Sequence, residues 1–174
     1  MELHNVLDFP ILSLSIFLPL AGALVIWLLV RGDNAVRWAS LAVSIATFIV
    51  TLPLALMFDE TTSHMQFEEF MPWISTFNIN YQLGVDGIFM SFIVLTSFLT
   101  VICIISAWRC IQNRVKEYML AFLVLETTLI GVFSSMDAVL FYFFWEALLI
   151  PMYLIIGIWG GKNRVYATLK FFLY

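Results

Sequence analysis

Long uncharged apolar intervals alternate along the chain with short polar segments, and this alternation predicts transmembrane helices. A helix that crosses a bilayer needs about 20 predominantly apolar residues. Three uncharged intervals reach that length, and two more reach it while carrying one carboxylate each, Glu126 and Glu146. The five predicted spans are residues 9–30, 38–58, 87–108, 118–136 and 138–159.

A sixth apolar segment begins at Val165, after the glycine pair Gly160-Gly161 and a basic turn. Its ten residues are too few to cross a bilayer, so residues 165–174 are predicted to be the start of a sixth helix. The predicted fold class is therefore an all-α polytopic membrane protein with five complete transmembrane helices and the start of a sixth. We expect residues 1–174 to form a single transmembrane region.

The longest connection, residues 59–86, mixes acidic residues with aromatic ones. Apolar residues in a connection outside the membrane indicate that it lies on the protein's own surface. Two arrangements remain open for it. Residues 79–83 can take part in a pair of strands, or the segment can be an irregular packed loop punctuated by Pro72 and Gly84.

Basic residues define the orientation of the predicted spans. The connections after the first, third and fifth spans hold seven of the eight lysines and arginines, namely Arg31, Arg37, Arg109, Arg114, Lys116, Lys162 and Arg164. The opposite segments carry acids without cations: Glu2, Asp8, Asp59, Glu60, Glu68, Glu69, Asp86 and Asp137. The positive-inside rule places the N-terminus and residues 59–86 outside. This orientation favours a bacterial inner membrane over a mitochondrial one.

Composition supports a membrane protein, since 63% of residues are hydrophobic and 11% are charged. Soluble domains have roughly 45–50% apolar and about 25% charged residues. The net charge of −4 argues against a nucleic-acid-binding module, which needs a basic surface. Cys103 and Cys110 lie in or beside an apolar run without a nearby histidine, so we expect packing roles. No phosphate loop, metal-ligand cluster or nucleophile motif occurs, so the chain is predicted to hold neither cofactor nor metal.

Glu146 is the first candidate for proton transfer. An ionisable side chain near the centre of a spanning helix costs roughly 2.5–3.5 kcal/mol, so it faces protein or water and usually has a function. Glu146 follows Asp137 by nine residues, which places it roughly 13 Å deep in a core about 30 Å thick. Tyr142 and Tyr153 share its helix face, and the three polar groups could line a proton path. A structural glutamate beside a proline kink at Pro151 remains the alternative.

Glu126 is the second, tentative candidate. Glu126 and Glu146 are each ten residues from Met136, so a tight turn would place both at the same level of an antiparallel helix pair. Two facing carboxylates disfavour simultaneous ionisation, and one of them would hold a proton. Whether the two face each other stays open. Alternatively, Glu126 is hydrogen-bonded locally beside Thr127 and Thr128.

Lys170 is a further tentative residue of the polar path. Tyr166 and Tyr174 precede and follow it by one helical turn, and it lies about five residues from the inner surface. An interfacial anchor is the competing interpretation, because a lysine can extend its amine to the membrane surface at that depth. Lys170 is shallower than Glu146, so we expect no direct ion pair between them.

Buried acids in a polytopic protein indicate ion or proton transfer, and one stretch carries a more specific resemblance. Residues 141–153 read FYFFWEALLIPMY and are followed by IWGG at 158–161, with MPWI at 71–74 and GVDG at 84–87 upstream. From about Glu69 to Tyr174 the chain resembles the chain M (subunit 4) family of proton-pumping NADH:quinone oxidoreductase, respiratory complex I. The first two spans are generic.

The resemblance implies the N-terminal third of an antiporter-like subunit in the membrane arm of an oxidoreductase complex. Such a subunit translocates protons while other subunits, which carry the flavin, iron–sulfur clusters and quinone, transfer electrons from NADH to quinone. Its partners are the other membrane-arm subunits and the lipid bilayer. The resemblance also implies that Glu146 pairs with a lysine on a later helix, for which Lys170 should not be mistaken. It assigns no role to Glu126.

Two other functional classes remain as alternatives. A subunit of a related cation/proton antiporter would share the ancestry and the glutamate, but the sequence around Glu146 argues against it. A scaffold protein without transport activity would leave the predicted burial of Glu126 and Glu146 unexplained.

Overall fold

Six helices and one β-hairpin account for most of the chain. The computed structural model describes residues 9–59, 61–62, 64–77 and 79–173. The elements in chain order are α1 (Ile11–Leu29), α2 (Asp33–Leu56), β1 (Gln66–Ile74), a short 3-10 turn (Ser75–Phe77), β2 (Ile79–Val85), α3 (Gly87–Cys110), α4 (Val115–Ser134), α5 (Ala138–Trp159) and α6 (Arg164–Leu173). Helices α1 to α5 are long and apolar enough to cross a membrane, which confirms the predicted fold class. Glu2, Asp8, Glu60 and Tyr174, used in the sequence argument, lie outside the described residues.

Helices α2 and α4 begin earlier than the uncharged intervals predict. Helix α2 starts at Asp33 and includes Arg37, and α4 starts at Val115 and includes Lys116 and Glu117. An uncharged interval measures the stretch that fits hydrocarbon, whereas a helical backbone continues through charged residues at the membrane surface. The first turns of both helices are therefore polar.

Helix α4 is the central element of the bundle. It packs against α1, α2, α3 and α5, and it has the largest buried share of the five spanning helices. It is also the least apolar of the five. A helix enclosed by other helices meets little lipid, so it can carry threonines and a glutamate that an outer helix would have to exclude.

Two apolar clusters form the core, one at each end of the bundle. We call the end covered by the hairpin the hairpin end, and the opposite end the basic end. The hairpin-end cluster contains Ile11, Leu12, Ile16, Leu54, Phe67, Leu83, Val85, Ile93, Ile130, Val132, Leu140 and Phe144. The basic-end cluster contains Ala23, Ile26, Val36, Ile104, Ala107, Val115, Met119 and Leu123.

Small hydroxyl residues form the buried face of α2. Ser40, Ser44, Thr47 and Thr51 recur at helical spacing and are all buried. The hydroxyls of Thr51 and Ser97 are hydrogen-bonded across the α2–α3 contact at 2.8 Å. Small residues let membrane helices approach closely, and hydroxyls join them by hydrogen bonds.

The segment between α2 and α3 is an antiparallel hairpin, so the structure favours the strand pair over the irregular loop. Pairing runs from Gln66 opposite Val85 to Ile74 opposite Ile79, with two irregularities in register. Phe67, Leu83 and Val85 of the hairpin are buried in the hairpin-end cluster. The hairpin therefore covers one end of the helices, as its apolar residues indicate.

Carboxylates bind the N-termini of α1, α3 and α5 at the hairpin end. Glu69 of β1 accepts hydrogen bonds from the backbone N–H of Leu12 at 2.8 Å and of Ser13 at 3.2 Å. Asp86 and Asp137 are the N-cap residues of α3 and α5; Asp86 accepts one backbone N–H group of the first turn and Asp137 accepts two. Negative charge at a helix N-terminus satisfies free N–H groups and interacts favourably with the helix dipole.

Asp137 also connects the hairpin to α5. Its Oδ2 accepts the backbone N–H of Asn80 at 3.2 Å. Burial acts to raise the pKa of the Asp137 carboxyl, but hydrogen bonds from the backbone N–H groups of Asn80, Leu140 and Val139 outweigh it and lower the pKa. The ionised form is therefore the one that holds this connection.

Basic side chains bind the C-termini of the same three helices at the basic end. Lys116 donates to two carbonyl oxygens at the end of α1, each at 2.9 Å. Arg37 donates to the carbonyl of Ile111, just after α3, at 2.9 Å, and Arg164 donates to that of Ile158 in α5 at 2.6 Å. Cations at helix C-termini satisfy free carbonyls and complement the dipole.

Candidate functional site

Glu146 lines a groove between α4, α5 and α6. The groove has a volume of about 870 Å³. Its walls include Leu125 and Leu129 of α4, Met152 of α5 and residues 171–173 of α6. Glu146 itself is exposed to this groove rather than enclosed by the described chain.

The two tyrosines of the predicted polar stripe have different neighbours. Tyr142 interacts with the Glu146 carboxylate one helical turn away. Tyr153 contacts Phe172 of α6, with ring centroids 5.6 Å apart. Helix α5 continues without a break through Pro151. The structure thus brings Tyr142 to Glu146 and places Tyr153 in the α5–α6 contact.

Lys170 is exposed on α6. Its Nζ lies 5.9 Å from the centroid of the Tyr166 ring, a distance at which a cation and an aromatic face attract each other. Its other predicted neighbour, Tyr174, is outside the described residues.

Glu126 is separated from Glu146. Its side chain is 0% exposed, and neither carboxylate oxygen has a hydrogen-bond partner within the described part of the chain. Thr127 and Thr128, the predicted local partners, donate instead to backbone carbonyls of α4. One carboxylate is therefore enclosed and the other is open to a groove, so the two do not form a facing pair.

The hydroxyls near the middle of the bundle are polar residues that the sequence argument did not single out. Their signal was the helical spacing of Ser40, Ser44, Thr47 and Thr51 along the second span. The motif resemblance begins only at about Glu69 and does not reach this span, whereas the spacing marks a polar face turned to other helices.

Among the described residues, no three His, Cys, Asp or Glu side chains lie close enough together to hold a metal ion. Cys103 and Cys110 are free thiols exposed on the outer surface of the bundle. The expectation that both cysteines have packing roles is wrong within the described part of the chain. Helical phase explains the difference, because Ile104 and Ala107 occupy the buried face of α3.

Comparison with known proteins supports a specific class. A family model described as NADH:quinone oxidoreductase/Mrp antiporter, TM, matches residues 135–174. NADH-quinone oxidoreductase subunit M of Rhodobacter capsulatus is 52% identical, with 94% of this chain and 32% of the relative covered. Subunit M of Rickettsia conorii is 47% identical, with 97% and 35% covered. NADH-ubiquinone oxidoreductase chain 4 of Marchantia polymorpha is 41% identical, with 94% and 33% covered.

A solved structure shows the same fold. A chain of respiratory complex I from Thermus thermophilus with bound NADH matches with a TM-score of 0.78 and 24% identity. The match covers 94% of this chain and 32% of that chain. The chain spans about one third of the length of the curated relatives it matches.

The spanning helices and these matches indicate an integral membrane protein similar to the NADH:quinone oxidoreductase and antiporter class. Over nearly all of its length the chain is similar to the N-terminal third of NADH-quinone oxidoreductase subunit M, which is chain 4 in the plant relative. The resemblance drawn from the sequence motifs is thereby confirmed.

Proposed function

We propose that this chain is part of a proton-translocating membrane-arm subunit of NADH:quinone oxidoreductase. The observation that carries the proposal is the placement of Glu146 midway along a spanning helix and open to a groove. Glu146 also lies in the stretch matched by the family model, residues 135–174. A carboxylate at such depth is retained where it has a role in ion or proton movement.

In this proposal Glu146 controls proton movement by its charge. An anion at membrane depth needs a compensating cation or bound water. We infer that a lysine from a further part of the subunit enters the groove and pairs with Glu146. While Glu146 is ionised it favours the protonated lysine, and loss of the pair lets that lysine release its proton. Tyr142 positions the carboxylate, and Tyr153 and Lys170 are secondary members of the polar path.

Electron transfer belongs to other subunits in this proposal. This chain carries neither cofactor nor metal, and the flavin, iron–sulfur clusters and quinone are bound by its partners. The chain therefore contributes to an enzyme, a proton-translocating oxidoreductase, without redox chemistry of its own. Electron transfer in the other subunits is coupled to proton movement in this chain through conformational or electrostatic change along the membrane arm. We place it in a bacterial inner membrane, with residues 59–86 outside.

A related cation/proton antiporter is the alternative, because the matching family model covers both classes. The test uses inside-out vesicles that contain the full-length protein in its native membrane complex. We expect NADH to drive proton uptake, and an inhibitor of quinone reduction to abolish it. Vesicles that lack the subunit serve as the control. Proton uptake driven by a sodium or potassium gradient, without NADH and insensitive to the inhibitor, would contradict the proposal and favour the antiporter.

A further inference from the structure

Glu126 is enclosed by the helix bundle. Leu123 and Ile130 share its face of α4 at helical spacing, and both are buried in the apolar clusters. Leu125 and Leu129, on the adjacent side of α4, line the neighbouring groove. The Glu126 side chain therefore points into the bundle, in which α4 packs against α1, α2, α3 and α5.

The carboxyl group of Glu126 lies at a level between the two apolar clusters. At about 1.5 Å per residue it is roughly 4.5 Å along the axis from Leu123 and roughly 6 Å from Ile130. Leu123 belongs to the basic-end cluster and Ile130 to the hairpin-end cluster. Helices α2 and α3 place buried hydroxyls at the middle of the bundle, and we name these four the hydroxyl layer: Ser44, Thr47, Ser97 and Thr100.

The hydroxyl layer offers acceptors rather than donors. Ser44, Thr47 and Thr100 each donate to a backbone carbonyl oxygen of their own helix at 3.0 Å, so the lone pairs of these oxygens remain. Ser97 lies 3.0 Å from the Val94 carbonyl oxygen and is also hydrogen-bonded to the Thr51 hydroxyl. An ionised carboxylate can only accept hydrogen bonds. The hydroxyl layer would therefore offer an anionic Glu126 no hydrogen-bond donor.

No counter-ion lies at the level of Glu126 in the described helices packed against this face. Helix α1 has no charged residue between Ile11 and Leu29. The charged residues of α2 and α3, which are Asp33, Arg37 and Arg109, lie at the basic end. An enclosed anion without counter-ion or hydrogen-bond donor is strongly disfavoured, and a proton removes the charge that makes its burial costly.

We propose that Glu126 is a second protonatable site of the bundle, an enclosed carboxylic acid that carries one exchangeable proton between the two apolar clusters. The exchange breaks and forms one O–H bond and needs no other reactant than water. Glu126 is fully enclosed and is not among the residues that line the Glu146 groove. The protonation of Glu126 follows from its surroundings alone. Only a part for this site in proton translocation rests on the proposed function.

Infrared spectroscopy of the full-length protein in its complex tests the proposal at rest, without NADH. We expect a C=O stretching band of a protonated carboxylic acid at neutral pH that shifts in D₂O. Glu126→Gln should lose this band, and Glu126→Asp should retain it at a shifted frequency. Glu117→Gln, which changes an exposed acid of the same helix, is the matched control and should leave the band unchanged.

A spectrum of Glu126→Gln identical to that of the unmodified protein would overturn the proposal, because Glu126 would then be ionised or silent. A band that Glu126→Gln removes but D₂O does not shift would also overturn it, since the proton would not exchange. The measurement is independent of pumping. A retained Glu126 band in a protein that fails to translocate protons would contradict the proposed function alone.

Discussion

Three glutamates of similar chemistry lie in different surroundings. Glu69 is bound by backbone N–H groups at the start of α1, and Glu146 faces an open groove. Glu126 is enclosed without a hydrogen-bond partner among the residues that the structure describes. Sequence spacing gave the depth of Glu126 and Glu146. It could not tell which neighbours each side chain would meet, because that depends on how α4 is rotated among four other helices.

Removing the Glu69 carboxylate should destabilise the N-terminus of α1. Pro10 at the N-cap position makes no side-chain cap, and Glu69 supplies acceptors for Leu12, the Ser13 backbone and the Ser13 hydroxyl. Glu69→Ala should lower the free energy of unfolding by about 0.5–2 kcal/mol, as the loss of a helix cap does. Equilibrium unfolding in mixed detergent micelles measures this change in the free energy of unfolding. Glu68→Ala, the adjacent acid, is the control, and equal effects of the two would refute the capping role.

Close contacts between helices depend on glycine at two positions. A Cβ on Gly22 would lie 2.4 Å from Val43 across the α1–α2 contact, and one on Gly131 would lie 2.5 Å from the Phe144 ring across α4–α5. Both distances are too short for a methyl group. These glycines thus set how closely α1 approaches α2 and α4 approaches α5.

Gly131→Ala should therefore separate α4 from α5 or displace the buried Phe144 ring. Overpacking of a core typically costs about 1–3 kcal/mol, and we expect a loss of stability in that range by the same unfolding measurement. Gly157→Ala is the matched control, because its Cβ would meet Thr168 at an ordinary 3.5 Å. If Gly131→Ala were as stable as Gly157→Ala, the proposed close contact would be wrong.

Apolar intervals with at most one charge sufficed to predict five spanning helices, because membrane length and apolar composition act on each segment separately. The hairpin could not be assigned in the same way. Its pairing joins Gln66 to Val85 and buries Leu83 against the helices, and such contacts depend on residues distant in sequence. The hydroxyl layer was likewise missed, since it forms only when α2 and α3 come together.

Charge asymmetry of the whole molecule coincides with the polarity of its helices. Helices α1, α3 and α5 all run from the hairpin end to the basic end, with carboxylates at their N-termini and cations at their C-termini. The distribution that predicts orientation in the membrane therefore also stabilises three helices. Sequence reasoning found the asymmetry but not this second use of it.

Orientation can be measured by labelling cysteines in intact cells. The full-length protein would carry Thr61→Cys at the hairpin end or Asn113→Cys at the basic end, with Cys103 and Cys110 replaced by alanine. A membrane-impermeant maleimide should label Thr61→Cys in intact cells and Asn113→Cys only after permeabilisation. The reverse pattern would show that the positive-inside assignment is wrong.

The most direct test of the account measures NADH-driven proton uptake by inside-out vesicles that contain the full-length protein with Glu146→Gln. Assembly of the complex and electron transfer to quinone are recorded in parallel, and Glu117→Gln on α4 is the control. If Glu146 gates the proton path, uptake should fall roughly 100-fold, in the range typical of a lost proton-transfer group, while the complex still assembles. Uptake close to that of the unmodified protein would contradict the account and make Glu146 a structural residue.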